Sequence, residues 1–381
     1  MNNKRIQIVA FDVPFPADYG GVVDVFYKLK ALHRAGYKIT LHCYAYGRKP
    51  AEELENLCEE VFYYSRKLNF WGLLSGMPYI VCSRNSHILL KRLLERSGMI
   101  LFEGLHSCFF LNHPQLADRI RIVRTHNIEH EYYSSLARSE SHLLKKIYFK
   151  WEAARLRNFE PVLKHATAIA AISDADARHF KQLNPATHTV SAFHSFDALT
   201  ISEAKGNYLL YHGNLAVAEN RMAALYLVRA VFNDLEQKLI IAGSNPGPEL
   251  EREIARHSNI QLIANPDTER LHELVAGATA NILPTFQATG IKLKLLAALF
   301  SGRHVLVNTP MIESTGLESL CFCADTPEEM KKAVIELSVR AFGPEDLNQR
   351  KDLLEKGFSN TVQLGRLEKL FAPQLSAELV S

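Results

Sequence analysis

The chain has 381 residues, more than one ordinary hydrophobic core organises, so two domains are expected. Its 47% hydrophobic and 22% charged residues exclude a disordered chain, and its apolar runs, such as Ile100–Phe102 and Ile169–Ile172, fall far short of a membrane span of about 20 residues. A balance of 44 Lys and Arg against 41 Asp and Glu gives +3, too mild for a nucleic-acid footprint.

Met1-Asn2-Asn3-Lys4-Arg5-Ile6 runs straight into a strand-like segment without a signal-peptide pattern, so export is not expected and the cytoplasm is. Ile6–Phe11 reads as a strand. Gly20–Ala35 reads as a helix, with Val22, Val25, Phe26, Leu29 and Leu32 at helical spacing. Gly36 stops it, and Lys38–Tyr44 alternates as a second strand. This is a βαβ unit, which implies a parallel sheet with right-handed crossovers. Further strands are expected at Glu60–Tyr64, Met99–Phe102, Ile120–Thr125 and Ala168–Ile172, and one long helix over Ser139–Lys164.

The alternation restarts after Thr200. Strands are expected at Tyr208–His212, Lys238–Ala242, Ile260–Ile263, Ala280–Leu283 and His304–Val307. Helices are expected at Asn220–Phe232, Glu249–His257, Glu269–Gly277 and Ile291–Phe300, with a last amphipathic one over Phe358–Leu370. The expected class is α/β, with two Rossmann-like doubly wound domains over 1–198 and 199–358 and a terminal segment, 359–381. Six cysteines, at 43, 58, 82, 108, 321 and 323, are too irregular for a disulfide framework. No C-x-x-C pair occurs, and no metal site is expected.

Ligands of open α/β sheets bind beyond the carboxyl ends of the strands, so chemistry is sought at the strand-to-helix junctions. At the first, Gly20-Gly21 opens a helix whose free amides suit a phosphate, although a plain turn explains the pair equally. It is neither G-x-G-x-x-G nor a P-loop. At the second, Thr125-His126-Asn127-Ile128-Glu129-His130 follows a strand end. His126 there is a candidate base or hydroxyl-orienting group, against the plainer reading of a structural histidine. Glu103, Asn127 and Glu129 are candidates to line the same cleft. At the third, Gly213 and Asn214 precede a helix whose first turn holds Arg221, facing a diphosphate or simply pairing with Glu219. The fourth, Thr289-Gly290-Ile291-Lys292-Leu293-Lys294, is an anion site by helix terminus and by cation. Lys292 and Lys294, two apart, do not share a helix face; Lys292 is the favoured ligand and Lys294 the solvated one.

Taken in order, Gly20-Gly21, Arg124-Thr-His-Asn-Ile-Glu-His130, Ile172-Ser173-Asp174, His212-Gly213-Asn214, Ile240-Ile241-Ala242-Gly243 and Thr289-Gly-Ile-Lys-Leu-Lys-Leu-Leu296 resemble the retaining family-four glycosyltransferases of the GT-B fold. The resemblance covers nearly the whole chain. It implies two domains facing a cleft and a final helix that crosses back to the N-terminal, acceptor-side domain. It implies a UDP- or GDP-linked sugar held in the C-terminal domain by Arg221, Lys292 and amides near Gly290, with Gly20 and Gly21 meeting the phosphates and His126 the sugar. It implies no cofactor and no metal, and a glycan or lipid-linked acceptor in surface polysaccharide synthesis.

In one respect the chain departs from the family. The family's two carboxylates at the last junction, the second of which holds the ribose, fall on Thr289 and Ala297. Relatives with a Gly-rich loop lose the first but keep the second. Two other readings follow: a catalytically silent module binding a nucleotide sugar, glycan or partner enzyme, and a sugar-nucleotide epimerase using Glu103 and Glu129. Lys145, Lys146, Lys150, Arg155 and Arg157 could meet anionic lipid at the inner face of the cell membrane, although the plainer reading is a solvated helix face.

Overall fold

A computed structural model of the chain describes residues 4–68, 76–140, 142–201, 206–286 and 292–377. These form two compact units, one of residues 1–195 with 360–381 and one of residues 196–359. Among the described residues no helix is long and apolar enough to cross a membrane.

The first unit is built on β1 (Arg5–Ala10), β2 (Lys38–Ala45), β3 (Glu60–Ser65), β4 (Met99–Glu103), β5 (Arg121–Thr125), β6 (Ala168–Ala171) and β7 (Thr187–Thr189). They form one parallel sheet in the order β3-β2-β1-β4-β5-β6-β7, which reverses direction between β1 and β4. Its main helices before the terminal one are α1 (Gly20–Arg34), α2 (His87–Glu95), α3 (Glu129–Ser139), α4 (Leu143–Phe159) and α5 (Asp174–Phe180). Side chains alternate across the sheet. Ile8 joins Val25, Leu29 and Leu41 on one face, while Val9 joins Phe102, Leu156 and Ile169 on the other. Covered on both faces, these strands read as near-continuous apolar runs, as buried parallel strands do.

The second unit carries β8 (Leu209–His212), β9 (Leu239–Gly243), β10 (Ile260–Ala264), β11 (Ala280–Ile282), β12 (His304–Val307) and β13 (Phe322–Cys323), parallel in the order β10-β9-β8-β11-β12-β13. Its main helices are α6 (Ala218–Tyr226), α7 (Pro248–Ile254), α8 (Thr268–Gly277), α9 (Leu293–Ser301), α10 (Pro327–Val339) and α11 (Pro344–Gly357). The last helix, α12 (Asn360–Ala377), belongs to the first unit. Leu367 and Phe371 enter that unit's core, and Gln363 accepts from the Ser191 amide at 2.7 Å.

The helical spans differ from expectation in three places. The pattern over 139–164 is not one helix. It divides into the end of α3, then α4, then a 3-10 turn over Glu160–His165 that Pro161 can enter only near its start. The helix expected over Asn220–Phe232 becomes α6 followed by a π-helical turn, Leu227–Val231. The terminal helix expected over Phe358–Leu370 is α12, which runs over Asn360–Ala377, and α11, ending at Gly357, is not among the expected helices.

Candidate functional site

In the first unit the reversal between β1 and β4 brings together the carboxyl ends of β1, β4 and β5. There Glu103 closes β4 and His126 follows β5, and α1 runs beneath them. Asp24 and Lys28, at i,i+4 on α1, turn inward instead of into solvent. The Lys28 ammonium donates to both Glu103 oxygens, at 2.7 and 2.9 Å, and to Asp24 at 2.9 Å. Arg124 forks onto Asp24 through Nε at 3.1 Å and Nη2 at 3.0 Å. The Phe193 amide adds a donor to Asp24 at 2.8 Å. Burial alone would raise the Asp24 carboxyl, but Arg124, Lys28 and His126 outweigh it and hold the group well below the usual range. Glu103 follows the same logic, with burial opposed by Lys28 and His126.

Two carboxylates and two cations thus neutralise one another, and His126 sits at their edge. Its Nε2 lies 3.1 Å from Glu103 Oε2; a carboxylate only accepts, so that nitrogen carries the proton. Its Nδ1 is 3.7 Å from Asp24, beyond a hydrogen bond. Phe11 meets the imidazole edge-on at 5.5 Å. The ring of Phe11 also explains Gly21, because a Cβ there would lie 2.7 Å from it. Gly20 and Gly21 are the first residues of α1, and Tyr19 before them gives no side-chain cap, so the helix amides remain open.

Glu103 and Glu129 do not line a surface. Glu103 is fully buried under Lys28, and Glu129 is 2% exposed. Burial, with the charges of Asp176 and Glu160, pushes the Glu129 carboxyl up to about 8. One of its oxygens lies 3.5 Å from Nε2 of His106, a ring that burial and Arg84 hold well below the usual histidine range. The pair is therefore neutral near pH 7. The epimerase reading loses its exposed acid and base, since both carboxyls are buried inside the unit. Asn127 is half-buried between β5 and α3.

In the second unit, Gly213 and Asn214 leave β8 at the corresponding reversal, between β8 and β11. Asn220 of α6 ties this turn, donating to the Asn214 carbonyl at 3.0 Å. Arg221 does not pair with Glu219. Its guanidinium rests against the Leu215 and Ala216 carbonyls at 3.3 and 3.5 Å, while Glu219 accepts from the Thr285 hydroxyl and lies 3.6 Å from the Lys292 ammonium. Lys292 is the N-cap of α9 and provides no side-chain cap. Thr289, Gly290 and Ile291 lie outside the described residues.

Lys294 is not the solvated lysine. It donates to Asn220 at 3.0 Å and lies 5.1 Å from the centre of the Tyr211 ring. Burial, aided by the neighbouring Lys292 charge, lowers it to about 8. Ala297, at the family's ribose-carboxylate position, is half-buried on α9.

Asp24 and Lys28 were not legible as site residues, because an i,i+4 acid–base pair on a helix most often faces water. The signal that could have found them is their place beside the apolar stripe of Val25, Leu29 and Leu32. Lys294 was misplaced because its burial depends on Tyr211 and Asn220, distant in sequence.

Residues 206–339 match the family described as "Glycosyl transferases group 1". An uncharacterized 44.6 kDa protein in the cps region of Klebsiella pneumoniae is 26% identical over 331 residues, covering 82% of this chain and 84% of its own. Among solved structures, HepE of Anabaena in complex with UDP and glucose superposes with a TM-score of 0.64 at 13% identity, over 97% of this chain and 99% of its own. The lipopolysaccharide outer core galactosyltransferase WaaB superposes with a TM-score of 0.63 at 14% identity, over 97% and 99%. The C-terminal unit is a group 1 glycosyl transferase domain, and the chain has the two-domain GT-B fold that its sequence resembles.

Proposed function

We propose that this glycosyltransferase is a nucleotide-sugar-dependent hexosyltransferase acting on a glycan or lipid-linked acceptor in surface polysaccharide synthesis. The C-terminal unit holds the donor diphosphate, and the N-terminal unit serves the transferred sugar and the acceptor. The observation that carries this reading is the cationic excess in the second unit. Among the described residues, Lys292 lies 3.6 Å from the Glu219 carboxylate, Lys294 donates to the adjacent Asn220 and Arg221 follows on α6, beside a start of α9 that has no side-chain cap. Such a surplus favours an anion with more than one charge, as a diphosphate has. On the sugar side, Nε2 of His126 is committed to Glu103, which leaves Nδ1 to accept from a sugar hydroxyl. Transfer proceeds with retention and without a metal in this proposal, cationic side chains and helix amides stabilising the leaving diphosphate.

A calorimetric panel of UDP, GDP, ADP and CMP with their sugar conjugates, run with and without EDTA, tests it. One conjugate binding at micromolar strength, indifferent to EDTA and lost in Lys292→Ala, is the expected result. Binding that EDTA abolishes would overturn the metal-free mechanism.

A second reading, the catalytically silent module, is favoured by one observation: the ribose-carboxylate position is Ala297. It predicts donor binding, or none, with no transfer and no donor hydrolysis by the full chain.

A further inference from the structure

Helix α4 carries an exposed apolar stripe. Leu143, Leu144, Ile147 and Trp151 are 68, 71, 55 and 37% exposed, four large apolar side chains within nine residues. At spacings of i, i+1, i+4 and i+8 they form one stripe along the helix. Isolated exposed apolar residues need no explanation, but a contiguous rimmed patch does.

The rim is cationic. Between α3 and α4 runs a groove of about 540 Å³ lined by Arg138, Lys146, Lys150 and Arg157. Among the described residues no carboxylate lines it, and none of the four is ion-paired. On the other edge of the stripe the Arg155 guanidinium lies 3.3 Å from the centre of the Trp151 ring. The single acid of α4, Glu152, is turned inward, where it accepts the Tyr79 and Ile80 amides at 3.0 and 2.8 Å. Nothing acidic from α4 therefore offsets the surface cations.

We propose that α4 docks the chain on an anionic lipid bilayer. The apolar stripe enters the boundary between headgroups and acyl chains, and the cation row meets lipid phosphates. Trp151 suits this depth, with an apolar body and an N–H for the wet side. A second copy of the chain is a poor occupant, because two such rows repel. Docking does not rest on the transfer reading, since it needs neither donor nor acceptor.

The test uses the full chain carrying Trp71→Phe, which leaves Trp151 as the only tryptophan of the two in the sequence. Vesicles of phosphatidylcholine with about 30% phosphatidylglycerol, and of phosphatidylcholine alone, are compared by sedimentation and tryptophan emission; the anionic fraction reflects a cytoplasmic-leaflet charge. The expected result is binding to anionic vesicles with a blue shift of Trp151. Each of Lys146→Gln and Lys150→Gln should weaken binding by about fivefold. Leu144→Ser/Ile147→Ser should abolish the blue shift without changing the thermal midpoint or donor affinity. Equal affinity for both vesicle types, no sedimentation, or binding with unchanged Trp151 emission would overturn the proposal. So would full competition by millimolar inorganic phosphate, which would make the groove a site for a soluble anion.

Discussion

The carboxyl-end junctions of the two units solve opposite electrostatic problems. In the first, Asp24 and Glu103 are matched by Lys28 and Arg124, all deeply buried, and the network closes on itself. In the second, among the described residues, Arg221, Lys292 and Lys294 share a junction with the carboxylate of Glu219, and the cluster is only partly covered. A neutral buried network cannot hold a charged ligand by charge, but it can fix a neighbouring side chain, here His126. An unbalanced, half-open one can bind an anion and relax when it leaves. The difference separates residues that position from residues that bind.

The sharpest way to break the comparison is to unbalance the closed network. Lys28→Met leaves two carboxylates buried without their shared cation and should cost about 3–5 kcal/mol in urea unfolding. The double variant Lys28→Met/Glu103→Gln should recover part of that loss. A cost under about 1 kcal/mol would mean that water reaches the network. His126→Ala should lower turnover about a hundredfold with little change in stability, measured as sugar transfer or donor hydrolysis.

In the open cluster, Lys292→Ala should weaken donor binding by about 1.5–3 kcal/mol by calorimetry, with the unfolding midpoint nearly unmoved. Ala297→Glu tests the missing ribose contact. A gain of similar size identifies the loss as one of donor affinity rather than of fold.

The remaining tests concern pH. Lys294 loses its proton near 8, below an ordinary lysine, so donor affinity should fall as pH rises through about 8 and flatten in Lys294→Met. The unfolded chain keeps that proton to higher pH, so this group makes stability rise between about 8 and 10.5. Glu129 runs the other way. Its folded carboxyl, pushed up to about 8, keeps a proton that the unfolded chain releases near 4.5, so stability falls as pH rises between those values. Glu129→Gln should remove that decline in denaturant titrations across the range.

Periodicity and punctuation alone determined the parallel α/β character, the second start of the pattern after Thr200 and the junctions where ligands would sit. Those features depend on local alternation, on Gly and Pro, and on the rule that strands joined by helices run parallel. The order of motifs carried the resemblance to glycosyltransferases. Tertiary structure decided which charges are buried. Asp24–Lys28 reads as a surface pair until β4 and β5 place Glu103 and Arg124 above it, and Lys294 reads as solvated until Tyr211 and Asn220 cover it. Glu129 looks like a site acid until the fold removes its water. Burial of a charge is a property of partners distant in sequence, and no local spacing encodes it.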